Sequence, residues 1–105
     1  MMIHPDKCKE LGLSKPKNHD NQLAYVKRII LNGIKFNTRL ARYVGIHNLH
    51  SIISILFKKG VQFTLEHGKV WCPFKEEVPP YPVDIIYMTE EQVLKYKEEK
   101  AAKKD

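Results

Sequence analysis

The sequence has only two cysteines, Cys8 and Cys72, no long hydrophobic run, and no acidic residue between Asp20 and Glu66. Two cysteines are too few for the disulfide framework of a small secreted domain, which favours a reducing compartment. No stretch approaches the ~18 consecutive apolar residues of a membrane-spanning helix, and the first residues lack the apolar region of a secretory signal. We therefore expect a cytoplasmic protein with no membrane partner.

The charge of the chain is unevenly distributed. The net charge is +6 over 105 residues, and residues 21–60 contain seven Lys and Arg residues and no Asp or Glu. The hydrophobic content of 43% is that of an ordinary small globular domain, so this basic block belongs to a folded segment. A field of one sign indicates an anionic partner, with nucleic acid the first candidate, whereas a basic face that only confers solubility is the alternative.

Hydrophobic periodicity and capping residues predict an α+β fold. Asp20 is the expected N-cap of a helix over residues 21–31, which Asn32-Gly33 closes. A short strand over residues 34–36, a short helix Thr38–Tyr43 and a helix over residues 47–59 follow. Residues 61–65 and 70–72 are expected to form a hairpin around a turn at residues 66–69.

These elements divide the chain into four segments. We expect an extended N-terminal arm over residues 1–19 and a folded domain over residues 20–72. A proline-rich connector with a possible short strand covers residues 73–88. A charged C-terminal helix occupies residues 89–105 and begins at the capping box Thr89-Glu90-Glu91-Gln92.

The order helix, strand, helix, turn, helix and hairpin is that of a winged helix-turn-helix. Small Ala41 lets the two helices of the motif cross closely, while Leu40, Val44 and Ile46 are expected beneath the turn.

The apolar spacing carries a resemblance. The pattern Gly45-Ile46-x-x-Leu49-x-x-x-Ile53-x-x-Leu56-x-x-x-Gly60 resembles the small winged helix-turn-helix domains of bacteriophage proteins. The resemblance covers roughly residues 22–72, and the proline-rich segment and C-terminal helix lie outside it. It implies a three-helix core with a β-hairpin wing, DNA binding, and the cytoplasm of a bacterial host cell as the location.

The helix over residues 47–59 has two distinct faces. At about 100° per residue, one continuous arc is apolar and is the expected core face: Leu49, Ile52, Ile53, Leu56 and Phe57. The opposite face has no carboxylate and carries the candidate base contacts: His47, Asn48, His50, Ser51, Ser54 and Lys58. Such a face can enter a major groove, where Asn can pair with adenine; an ordinary solvent-exposed helix face is the alternative.

A second group of residues is predicted to contact the DNA backbone. The candidate phosphate contacts are Lys27, Arg28, Lys35, Thr38, Arg39 and Arg42. His67 and Lys69, at the tip of the expected hairpin, are candidate wing contacts to a minor groove or phosphate, with a plain turn as the alternative.

No catalytic motif is present, and the scattered His and Cys residues lack a CxxC pair, so we expect neither an enzyme nor a metal site. The sequence predicts a sequence-specific double-stranded DNA-binding protein without cofactor or small-molecule substrate. It would act as a transcriptional regulator or an accessory factor at a DNA site, of phage or mobile-element type.

Two other functions are open. A winged helix can serve as a module that docks on a host protein or polymerase, which an exposed apolar patch around Ile55, Tyr81 and Tyr87 would favour. RNA or single-stranded nucleic acid is a weaker possibility. The C-terminal helix shows a narrow apolar stripe in the segment with Val93, Leu94, Tyr96 and Lys97. The stripe is suited to the seam of a homodimer, which we favour, or to packing back on the domain.

Overall fold

The computed structural model describes residues 3–17 and 21–102. This part of the chain is α+β, with five helices and a three-stranded antiparallel sheet. The elements in chain order are α1 (Pro5–Glu10), α2 (Gln22–Leu31), β1 (Phe36–Asn37), α3 (Thr38–Tyr43), α4 (Leu49–Lys58), β2 (Thr64–Gly68), β3 (Val83–Tyr87) and α5 (Glu90–Ala102). In the described ranges, no helix combines the length and the apolar character needed to cross a membrane.

The sheet has the strand order β1-β3-β2, so the last strand in the sequence is the central one. Ile86 of β3 is fully buried and lies opposite Phe36 of β1 on one side and Leu65 of β2 on the other. This order of helices and strands from α2 to β3 is compatible with the predicted winged helix-turn-helix.

The core lies between the sheet and the helices. From α2 and α4 it receives the apolar residues that recur at helical spacing: Tyr25, Val26, Ile29 and Ile30, and Leu49, Ile52, Ile53 and Leu56. Burial of each large aliphatic side chain contributes roughly 1.5–3 kcal/mol relative to leaving it in water. Packing of these two amphipathic helices therefore supplies much of the stability.

Capping chemistry confirms several predicted boundaries. Asn37 Oδ1 accepts a hydrogen bond from the Leu40 N–H at 3.0 Å and begins α3. Thr89 and Gln92 exchange two hydrogen bonds at the start of α5, which is the predicted capping box. The predicted cap Asp20 lies outside the described residues, and Asn21 caps α2 instead.

The turn between α3 and α4 has the predicted chemistry. Ala41 has no solvent exposure, and Val44 and Ile46 are fully buried beneath the turn. Gly45 has φ +104°, a conformation that side-chain-bearing residues rarely adopt, so a glycine is needed here. Leu40 is only half-buried, although it packs against the core.

The predicted hairpin within residues 61–72 is wrong. Residues 66–68 do not turn but continue β2, which pairs with β3 from Thr64 opposite Tyr87 to Gly68 opposite Val83. The segment Val83–Tyr87 is rich in β-branched and aromatic residues and supplies the buried Ile86, so it is the better partner. The connection between the two strands is the proline-rich segment.

The description of residues 1–19 as an extended arm is also wrong for the part that the structure describes. Ile3, Cys8 and Leu13 are buried in the main core; Cys8 belongs to α1, and Ile3 and Leu13 lie on either side of that helix in the sequence. The His4 N–H donates a hydrogen bond to the Val44 carbonyl at 2.8 Å, which ties this segment to the turn before α4. Three well-spaced apolar residues were enough to dock a segment that is otherwise polar.

Phe57 was placed on the core face of α4, and this too is wrong, because its side chain is 76% exposed. Phe57 lies at the margin of the apolar arc, and Leu65 of the edge strand β2 is itself 43% exposed. The sheet is therefore too narrow to cover this flank of the helix.

Ile53 and Phe57 of α4 differ in burial, so replacement by Asp should affect the folding stability differently at the two positions. Ile53→Asp places a carboxylate in the core, where an unpaired charge is very costly, and we expect loss of the cooperative folded state. Phe57→Asp, one helical turn away, should keep the stability within about 1 kcal/mol of wild type. Thermal unfolding followed by circular dichroism tests both, and a wild-type-like melt for Ile53→Asp would contradict the assignment of the core.

Candidate nucleic-acid interface

All six candidate base contacts are solvent-exposed, on α4 or immediately before it. Ser51, Ser54 and Lys58 lie opposite the buried side of the helix, and none of the three has a carboxylate partner among the described residues. The apolar side of α4 is anchored by Leu49 and Leu56, which are almost completely buried. The structure thus presents the polar side of α4 on a rigidly held helix.

Asn48 has a structural role that the sequence analysis did not assign. Its Oδ1 accepts a hydrogen bond from the Ser51 N–H at 3.2 Å and caps α4. Paired contact with adenine uses both the oxygen and the nitrogen of the amide, so a capping Asn48 has only its NH₂ group to offer.

The absence of carboxylates along this face does not hold in three dimensions. Asp84 of β3 lies with Oδ2 3.6 Å from His50 Nδ1 and with Oδ1 2.6 Å from His67 Nε2. Asp84 is 20% exposed and the two histidines are well exposed. The Asp84 carboxylate therefore links α4 to β2, and His50, a candidate base contact, has this carboxylate as a neighbour.

The predicted wing tip is misplaced. His67 lies within β2 opposite Asp84, and Lys69 directly follows the strand. The connection between β2 and β3 covers residues 69–82. Within it the Cys72 N–H donates to the Glu77 carbonyl at 2.8 Å and the Glu76 N–H to the Cys72 carbonyl at 2.7 Å, which closes a tight turn.

Arg39, a candidate phosphate contact, also holds this connection. Its guanidinium donates to the Tyr81 carbonyl at 3.2 Å and interacts with the thiol of Cys72. Its Nε is buried and has no hydrogen-bond partner in the described parts of the chain. The sequence analysis could not detect this contact, because Tyr81 is remote in the sequence.

Three other phosphate candidates each contact a different segment of the chain. Arg28 donates to the Lys15 carbonyl at 3.0 Å, and Lys27 lies 5.8 Å from the ring of Tyr96. Lys35 lies over the ring of Tyr87 and 3.9 Å from Glu66, so part of its charge is compensated by a neighbouring carboxylate.

One basic cluster does form. Thr38, Arg39 and Arg42 of α3 line a cavity of about 330 Å³ together with Lys75 from the connection. Arg42 and Lys75 are exposed. Sequence reasoning missed Lys75, because it was assigned to the connector; its only signal was a cation two residues after Pro73, where the proline-rich segment begins.

Cys72 lies in the wall of the same cavity. Burial opposes ionisation of its thiol, but hydrogen bonds from the backbone N–H groups of Lys75 and Phe74 and from Arg39 outweigh it, and the pKa of Cys72 is lowered. Cys8 behaves oppositely, since burial in the apolar core raises its pKa above the ordinary value. The two cysteines therefore report on different environments.

No protein family, curated protein or solved structure matches this chain. The interpretation of the site depends on the chemistry of its own residues.

Arg39 and Arg42 make a matched pair for testing the contact between Arg39 and the Cys72 thiol. Arg39→Gln should raise the pKa of Cys72, since it removes a nearby positive charge, whereas Arg42→Gln should leave it unchanged. The Cys72 pKa is lowered in the folded state, so thiolate stabilisation is present above the unfolded-chain pKa. It is lost as the pH falls through the folded-state pKa.

The pH titration of the Cys72 Cβ chemical shift, followed by NMR, distinguishes the two variants without interference from Cys8. Identical titration curves for wild type and Arg39→Gln would exclude the proposed contact.

Proposed function

We propose that this chain is a winged helix-turn-helix protein that binds double-stranded DNA in a sequence-specific manner, as a regulator or accessory factor and without catalysis. The exposed polar face of α4 carries the proposal. It combines Ser51, Ser54 and Lys58 on a helix whose other side is buried, behind a turn that requires Gly45.

The order of the elements supports this function. α3, the turn at Gly45 and α4 occupy the places of the two helices of the motif, and β2 and β3 occupy the place of the wing. In this architecture the second helix enters the major groove, with its N-terminal residues nearest the base edges. His47 and Ser51, at the start of α4, are therefore the first candidates for base contact.

The basic cluster supplies a second type of contact. Arg42 and Lys75 are exposed cations beside Thr38, a combination suited to phosphate oxygens. Arg42 belongs to the helix that crosses the backbone in this motif, and Lys75 belongs to the wing connection. Both are proposed to position the protein without reading the sequence.

Removal of a phosphate contact has a characteristic signature. Arg42→Ala and Lys75→Ala should each weaken binding to every DNA sequence and reduce the slope of log affinity against log salt by about one unit. Lys97→Ala, which removes an exposed cation of α5, serves as the control and should leave the slope unchanged. Fluorescence anisotropy at several salt concentrations measures these slopes, and a slope near zero for wild type would exclude DNA as the partner.

Removal of a base contact should act on specificity alone. Ser51→Ala should cost about 1 kcal/mol on the preferred site and nothing on random DNA. Asn48→Ser preserves a capping side chain while removing the amide NH₂, whereas Asn48→Ala should also cost about 1 kcal/mol of folding stability. Competition binding with selected and random duplexes, together with thermal melts, separates the two effects; unaltered site preference in Ser51→Ala and Asn48→Ser would contradict the assignment.

A protein-docking module is the second candidate, because Ile55 and Tyr81 are 41% and 72% exposed, while Tyr87 is half-buried. The homodimer remains a prediction that light scattering can test. Within the described chain, Val93 and Tyr96 pack against the core and Leu94 is the large apolar residue of α5 that is exposed. Val93 and Tyr96 thus pack back on the domain, while Leu94 stays available for a homodimer seam.

A further inference from the structure

The sheet ends at a strand whose outer edge is open. β2 pairs with β3 on one side only, and its residues make no other backbone hydrogen bonds within the described ranges. An edge of this kind presents unpaired N–H and C=O groups that can pair with a further strand. Thr64–Gly68 supplies enough residues for a short ladder.

An apolar groove of about 780 Å³ adjoins this edge. Ile53 and Phe57 of α4, Val61 and Phe63 of the following segment, and Leu65 of β2 line it. Phe57 is 76% exposed, so the groove leaves a large aromatic side chain of the helix uncovered. The volume lies within the ~300–1,000 Å³ range of binding sites in proteins.

The register of the sheet relates the open edge to the groove. Leu65 lies opposite Ile86, and directly opposed residues of an antiparallel pair point to the same face of the sheet. Ile86 is buried in the core, so Leu65 is on the face that the helices cover. A strand added beside β2 would place every second side chain on that face, against Leu65 and Phe57.

The residues that line the groove indicate which charge a bound segment should carry. Its polar lining consists of His50, Ser54, Lys58, Gln62 and Gln92, and contains no carboxylate. Asp84, which contacts His50, is itself held by His67. The lining includes the cation Lys58, so an acidic side chain on the groove-facing side of an added strand meets an opposite charge, whereas a basic side chain there does not.

We propose that the edge of β2 and this groove bind an extended segment of a partner protein as a fourth strand. Every second residue of that strand faces the groove, where apolar residues cover Phe57 and Leu65 and acidic residues beside them meet Lys58. A small molecule within the groove would leave the rim exposed and would not use the free backbone groups. A second copy of the chain is disfavoured, because symmetric pairing about the middle of β2 opposes Glu66 to Glu66 between two chains that each carry +6.

The inference depends on the protein-docking role and not on DNA binding. His50, Ser54 and Lys58 belong both to the groove and to the candidate base contacts. The bound segment would therefore exclude DNA from α4. Peptide binding measured without DNA and DNA binding measured without peptide can fail independently.

The test is a titration of the full chain with the synthetic peptide acetyl-Thr-Glu-Thr-Val-Thr-Phe-Thr-Glu-Thr-amide, whose two glutamates share a face with the valine and the phenylalanine, followed by amide NMR chemical shifts. We expect saturable shifts at β2 and along the exposed flank of α4.

A peptide of the same composition with its apolar residues clustered should lose most of the affinity, because alternation is lost. Replacement of both glutamates by lysine should weaken binding several-fold. Methylation of the peptide's backbone nitrogens at alternate residues tests the hydrogen-bonded ladder. Methylation of the N–H groups that face β2 should abolish binding, while methylation of those that face away from β2 should be tolerated.

Phe57→Gln should weaken peptide binding by about tenfold, since burial of the phenyl side chain is lost. Leu94→Gln, which removes a comparably exposed apolar side chain from α5, should change the affinity by less than about twofold. Equal binding of the alternating and clustered peptides, tolerance of methylation on both edges, or preference for a helical peptide would overturn the proposal. Dimerisation of the wild-type chain that Phe57→Gln abolishes would overturn it in favour of a second copy.

Discussion

The pairing of β3 with a strand on each side is the interaction on which the rest of the molecule depends. β1 precedes α3 and β2 follows α4, so both ends of the helix pair are joined through a strand that comes much later in the chain. Ile86, at the middle of this strand, is fully buried between Phe36 and Leu65. The same pairing carries the proline-rich connection to α3, where Arg39 meets the Tyr81 carbonyl.

Electrostatics follow from this topology. Residues 21–60 contain no acidic residue, but in the folded protein β2 places Glu66 near Lys35 and β3 places Asp84 near His50. These contacts compensate part of the basic block, while the connection adds Lys75 beside Arg42. The basic cluster of Arg39, Arg42 and Lys75 thus contains fewer cations than the basic block of residues 21–60. One of its members, Lys75, lies outside that block.

The two proposed interactions share one helix. The polar face of α4 suits base edges, and its apolar flank at Phe57 adjoins the open edge of β2. Since His50, Ser54 and Lys58 belong to both surfaces, an added strand and a DNA duplex would compete for α4. A protein segment bound in the groove would therefore prevent DNA binding without any change in the fold.

The sequence by itself determined helices α2 to α5, the capping box of α5 and the turn at Gly45, because capping and 3.6-residue periodicity are local properties that neighbouring residues decide. It also placed Ser51 and Ser54 correctly on the exposed face of α4. Only the tertiary structure decided the partner of β2, the burial of Cys8 and the exposure of Phe57. Strand pairing and burial depend on which distant segments compete for the same surface, and Val83–Tyr87 outcompeted residues 70–72 by contributing a buried Ile86. The capping role of Asn48 was legible from local chemistry, whereas the contacts of Arg39 and Asp84 exist only because a remote strand lies in the centre of the sheet.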